Sequence, residues 1–214
     1  MKELAVNASK NIIIIGSLIA SPILLTGCGG GGGGGTEGFN IPFTCSNVAS
    51  SIVGCWASEL CATNAGVPGV RLIEVVEQTG TTPNLNGGVK SFLLEYDNAS
   101  CSGDPVAAQD LNALGGFSQT YEEQGFDTCS ENISVDPVSC VQLDMTVTVG
   151  VLASTGFTSY AINDSDDRLC LPAGDYNFDN TGNGGMGLPV EDDVINRPNI
   201  IDVSTNNCMT RITF

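Results

Sequence analysis

Apolar and polar residues alternate without interruption over residues 141–149. Val141, Leu143, Met145, Val147 and Val149 fall on one side, and Gln142, Asp144, Thr146 and Thr148 on the other. A period of two sustained over such a run is a strand with one dry and one wet face. Shorter runs at 70–78, 89–96, 117–123, 157–162, 168–171, 199–203 and 209–214 predict further strands, and turn-rich stretches at 79–88, 98–105 and 163–167 separate them. Helix is expected at 46–63 and 106–114. Seven or eight strands joined in this way indicate a mostly β fold, an antiparallel β-sandwich or barrel with one or two short helices.

A different pattern opens the chain. Lys2 and Lys10 precede an uncharged apolar stretch over residues 11–25. That length suits the core of an export signal and is too short for a membrane-spanning helix, which needs about 20 residues. Leu25-Thr26-Gly27-Cys28 follows and resembles the lipobox of bacterial lipoproteins. The resemblance implies that residues 1–27 are removed, that the Cys28 sulfur carries a diacylglyceryl group and that the new amino end is acylated. Two or three acyl chains make a durable anchor where one binds only marginally. Gly29, rather than Asp, follows the cysteine, which favours the outer membrane. Glycines 29–35 with Thr36, Glu37 and Gly38 then read as a flexible tether over 28–38. Residues 39–214 are left as a single β-rich domain of ordinary size.

Composition narrows the chemistry. The chain has no His, 24 Asp+Glu against 7 Lys+Arg and a net charge of −17. Imidazole-based catalysis and histidine zinc sites are excluded, and no basic patch exists to neutralise a run of phosphates, so nucleic acid is not a partner. Loss of residues 1–27 takes Lys2, Lys10 and Glu3 with it and leaves a mature charge of −18. Such a surface repels anionic membranes, and contact with the bilayer is expected through lipid alone.

Apart from Cys28, the cysteines are Cys45, Cys55, Cys61, Cys101, Cys129, Cys140, Cys170 and Cys208. An even set on an exported chain reads as four disulfides, and the absence of any C-x-x-C argues against a thiolate metal site or a thioredoxin-like centre. Roughly a hundred pairings are open, and the sequence does not choose among them. The expectation adopted is neighbour with neighbour: Cys45 with Cys55, Cys61 with Cys101, Cys129 with Cys140, Cys170 with Cys208.

Candidate sites are few. Asp175, Asn177 and Asp179 place oxygens at alternate positions, as a calcium loop requires, with Asp192 or Asp193 as further donors. Asn180 and Met186 stand where an EF-hand has Gly and Glu, so any Ca²⁺ site is a looser one, and an Asn/Gly-rich turn explains the same residues. Residues 163–167 offer a second loop of this kind. No other cofactor is implied. Glu122-Glu123, Asp166-Asp167 and Glu191-Asp192-Asp193 are the acids from which a glycosidase pair would have to come. Lys90, the only Lys of the domain, is the sole partner for a Ser-Lys dyad and lies in a stretch that reads as an exposed strand. Trp56, Phe92, Tyr96, Phe157, Tyr160 and Tyr176 serve either as core or as the walls of an apolar pocket.

Trp56 followed by Cys61 and then by Tyr96-Asp-Asn-Ala-Ser-Cys101 is similar to the opening W…C…Y-x-D-x-x-C pattern of some lipocalin-like bacterial lipoproteins. Arg197-Pro-Asn-Ile-Ile-Asp202 and Thr210-Arg-Ile-Thr-Phe214 are similar to their closing strands. The resemblance implies a barrel that carries an apolar ligand. The expectation is therefore an outer-membrane-anchored, non-enzymatic binding or envelope-structural module, whose partner is an envelope protein or a small apolar ligand. A carrier of an apolar ligand and a carboxylate-based hydrolase of an envelope glycan are the alternatives.

Overall fold

The protein is described by a computed structural model over residues 40–64, 66–82, 84–131, 137–163, 167–172, 200–203 and 208–213. Its strands are β1 (Gly54–Ser58), β2 (Ala62–Asn64), β3 (Val67–Gly80), β4 (Asn86–Tyr96), β5 (Ala107–Asp110), β6 (Phe117–Glu131), β7 (Pro137–Val149), β8 (Leu152–Asn163), β9 (Arg168–Cys170), β10 (Ile200–Ile201) and β11 (Cys208–Ile212). One helix, α1 (Leu111–Gly115), completes the described elements.

Eight of these strands form a closed ring. β1 pairs with β3, β3 with β4, β4 with β6, β6 with β7, β7 with β8, β8 with β9, β9 with β11 and β11 with β1, every pair antiparallel. The ring follows chain order, so the sheet is an up-and-down barrel, and of the two architectures expected it is the barrel that forms. Closure removes the sheet edges that an open sandwich would leave. Eight strands enclose a space just wide enough to be filled by side chains or to hold one small ligand. β2 adds to β3, and β10 lies parallel to β6 at Ile200 and Ile201.

Along β4 the partner changes. β6 pairs with residues 86–89 and β5 with residues 92–95. Asn112 of α1 spans the gap: its Oδ1 accepts from Ser91 N at 2.7 Å and its Nδ2 donates to Val89 O at 3.2 Å, in place of a strand residue. Asp110 caps α1 by accepting from Ala113 N at 2.9 Å, and Gly116 ends it in the left-handed region at φ 62°.

Alternation assigns the side chains. Trp56, Val70, Leu72, Val76, Val89, Leu93, Tyr121, Leu143, Met145, Tyr160, Leu169 and Met209 point inward as one apolar core. On the outer face of β1, β3 and β4, a second cluster of Cys55, Ile73, Val75, Phe92, Leu94 and Tyr96 is covered by the segment before β1, where Phe43 meets Phe92 at 4.6 Å between ring centroids. A third holds Cys129, Cys140, Cys170 and Cys208 around Ile201. The sheet is thus buried on both faces over much of its area.

Four disulfides join Cys45 to Cys55, Cys61 to Cys101, Cys129 to Cys140 and Cys170 to Cys208, the neighbour pairing expected. Cys170 and Cys208 stand directly opposite each other on β9 and β11, where the ladder is only three pairs long.

The helix expected at 46–63 does not form: residues 46–53 are turns and irregular backbone, and β1 and the start of β2 follow. Every residue of β1 is buried, because its outer face lies under the segment before it as its inner face lines the core. The resulting run of apolar residues has no alternation from which a strand is legible. The helix expected at 106–114 shrinks to α1, preceded by β5. The turn expected at 79–88 is shorter, since β3 runs to Gly80 and β4 starts at Asn86.

Candidate functional site

Two ends of the barrel differ. The lower end, at the β3–β4 turn, is packed. Trp56 is fully buried, and its Nε1 donates to Ile52 O at 2.7 Å. The Arg211 guanidinium lies over the indole, 4.2 Å from its centroid, and donates to Val53 O at 3.1 Å and Ser51 O at 3.0 Å. Arg211 Nε is 3.4 Å from Asp167 Oδ1. Asn47 locks the seam between first and last strands, accepting from Cys55 N and donating to Ile212 O, each at 2.8 Å. Gly54 is required there: at φ 146°, a Cβ would lie 2.4 Å from Asn47 Oδ1.

Polar groups also enter this end. Tyr160 donates to Glu123 Oε1 at 2.5 Å. Burial raises the Glu123 carboxyl above its ordinary range, and the Tyr160 hydrogen bond opposes the rise. Tyr121 is pushed up to about 12, by burial first and by the Glu123 charge second. Its hydroxyl is buried without a hydrogen-bond partner among the described residues.

Towards the upper end, at the β7–β8 turn, the inward positions open to water. Phe117, Gln119, Val147 and Val149 are half-buried, and Leu152 and Ser154 are exposed. Below them sits Glu74. It shares the inward phase of Leu72 and Val76 and lies directly opposite Trp56 on one side and Ser91 on the other. Ser91 Oγ donates to Glu74 Oε2 at 2.8 Å and lies 3.4 Å from Gln119 Oε1. Glu74 is half-buried, with its carboxyl largely covered by protein. Burial raises its pKa from 4.5 to about 8, against a smaller lowering by the Ser91 hydrogen bond.

This position has a measurable consequence. The folded state holds a proton on Glu74 up to about pH 8, whereas the unfolded chain releases it near 4.5. The folded state therefore binds more protons across that window, and stability falls as pH rises through it. The apparent Tm is expected to drop between pH 5 and pH 8, and Glu74→Gln to flatten the drop in a thermal melt series. An equal slope in both proteins contradicts the burial of an unpaired carboxyl.

On the outer surface, a polar groove of about 420 Å³ is lined by Thr79, Asn86, Thr120, Glu122, Asp144, Thr146 and Thr155 among others. Glu122 and Asp144 stand directly opposite each other on β6 and β7. Asn84 Nδ2 donates to Glu122 Oε1 at 3.0 Å, and the Thr146 and Thr155 hydroxyls are 2.8 Å apart.

The residues singled out in the sequence are dispersed. Glu122 lines the groove while Glu123 faces the interior, so adjacent acids do not converge. Lys90 pairs with exposed Glu77 at 2.9 Å on the outer face while Ser91 points inward, which rules out a Ser91–Lys90 dyad. Trp56 and Tyr160 belong to the barrel core, Phe92 and Tyr96 to the outer cluster. Cys28, Asp175, Asn177, Asp179, Tyr176, residues 191–193 and residues 164–166 lie outside the described residues. Among the described residues no group of three or more Cys, Asp or Glu is placed to hold a metal ion, and no helix is long and apolar enough to cross a membrane. Glu74, the acid at the centre of the barrel, was not singled out. Its parity with Leu72 and Val76 was available, but Ile73 and Val75 give the opposite parity equal weight. No protein-family model, curated protein or solved structure matches this chain.

Proposed function

We propose that the chain is a non-enzymatic binding module, held at the outer membrane by lipid on Cys28, whose barrel receives a small ligand from its upper end. One observation carries this reading: a closed eight-stranded ring packed at one end, in which Glu74 and the inward positions of β6 and β7 towards the other end are only half-buried. A barrel serving only as an envelope spacer gains nothing from a carboxyl in its interior, since burying one costs several kcal/mol, on the order of what a core side chain contributes. A solvatochromic apolar dye is expected to saturate at one molecule per barrel, and Val147→Trp, which fills the upper end, to abolish that binding. Dye binding unchanged by Val147→Trp would place the ligand elsewhere and sink the reading.

The anchor is tested separately. Cys28→Ala is expected to move the protein from the membrane fraction to the soluble fraction, because its acidic surface offers no second attachment. Unchanged retention removes the lipid from the account.

A second reading rests on the opposed Glu122 and Asp144 in the outer groove, an arrangement a glycan hydrolase uses when the two carboxyls approach within about 5 Å or somewhat more. Glu122→Gln and Asp144→Asn would then each abolish cleavage of an envelope glycan; cleavage by the variants as fast as by the parent removes the hydrolase.

A further inference from the structure

The ligand class follows from what surrounds Glu74, on the reading that the barrel interior is a binding site. Glu74 Oε2 accepts from Ser91 Oγ. Among the described residues, no donor meets Oε1. Facing the carboxyl are Trp56 from β1, Ser91 from β4 and Gln119 from β6, none of them charged. The nearest cation along the ring, Arg211, is committed to the indole and to the carbonyls of Ser51 and Val53 on the far side of Trp56. Lys90 points outward to Glu77. Above the carboxyl, Phe117 and Val147 present half-buried apolar surface.

We infer that the barrel binds a small apolar amine, its ammonium group seated on Glu74 Oε1 and its hydrocarbon body lying against Phe117 and Val147. The arrangement is a carboxyl without a countercharge beneath half-buried side chains of which Phe117, Val147 and Val149 are apolar. A carboxylate ligand would have to share the Glu74 proton and brings no countercharge, and a neutral apolar ligand brings none either. An ammonium supplies both the charge and a charge-assisted hydrogen bond, which is the condition under which a buried ion pair compensates its desolvation. The Glu74 proton leaves to solvent when the amine binds as a cation. At pH 7 a group titrating near 8 is about nine-tenths protonated, so nearly one proton is released per ligand.

The test uses the full chain in a non-ionic detergent and three probes of equal length: hexylammonium, hexanol and hexanoate. Trp56 is the only Trp in the chain and stands opposite Glu74, so its emission reports occupancy. Hexylammonium is expected to bind at one site, at least ten-fold tighter than hexanoate, and Glu74→Gln to weaken it at least ten-fold while leaving hexanol unchanged. Should that variant fail to fold, the unmodified protein decides: heats measured in buffers of different ionisation enthalpy are expected to show about one proton released at pH 7. Equal affinity for the three probes, or no proton release, overturns the amine assignment and leaves the binding module standing. If no probe binds at all, both the amine assignment and the receptive barrel fall.

Discussion

On reduction of its four disulfides at 37 °C, without denaturant, the barrel domain is expected to lose its folded structure. In the chain-entropy account, the bridges Cys61–Cys101 and Cys170–Cys208, with separations of 40 and 38 residues, each contribute about 4 kcal/mol, and the two shorter ones about 3 kcal/mol each. Together these are comparable to the whole stability of a domain, about 5–15 kcal/mol. The placement of the bridges adds to their number. Cys170–Cys208 clamps β9 to β11, one of the two shortest ladders of the wall, and Cys45–Cys55 pins the covering segment over the outer face of β1. Far-UV circular dichroism on titration with a thiol reductant follows the loss. A reduced domain that keeps its native spectrum and melt would show that the sheet closes without covalent help.

Trp56→Ala is expected to cost about 3–5 kcal/mol, the range for deleting a buried aromatic. The indole joins three parts of the molecule: it fills the lower end of the core, holds the segment before β1 through Ile52 O and supports the Arg211 guanidinium. Losing the cation–π contact adds up to about 2 kcal/mol when the cation is desolvated, and Arg211 is buried. Trp56→Phe is expected to recover most of the loss, because a ring remains beneath the guanidinium, but not the Nε1 bond, about 1 kcal/mol. Urea unfolding of the three proteins measures this directly. A Trp56→Ala variant within about 1 kcal/mol of the parent contradicts the assignment of Trp56 as the keystone of the closed end.

How far the sequence discloses this fold depends on which faces are wet. β7 was legible because Gln142, Asp144, Thr146 and Thr148 line the outer surface opposite the core, giving an unbroken period of two. β1 was not, since Cys55 and Ala57 are covered as completely as Trp56 and no polar residue marks the outside. Closure itself depends on pairs distant in sequence, Cys55 with Ile212 and Gly88 with Thr120, for which local pattern carries no signal. The lower part of β6 was missed for a local reason: the bulge between Glu123 and Gly125 shifts the phase and leaves Phe126 exposed. Two of the neighbour pairings of the cysteines, Cys129–Cys140 and Cys170–Cys208, follow from the meander, which sets β6 beside β7 and β9 beside β11. The site was less legible than the fold. Acidic residues announce themselves in loops and at paired positions such as Glu122-Glu123, whereas Glu74 is a single acid inside an apolar strand, and only the direction of its side chain gives it meaning.

The most direct measurement follows the Glu74 carboxyl carbon by NMR as the pH is changed. An unpaired carboxyl inside a closed barrel titrates near pH 8, well apart from the surface acids, and the signal is identified by its absence in Glu74→Gln. A Glu74 that titrates near 4.5 with the surface acids lies in open solvent or beside a cation, and the receptive interior would have no basis.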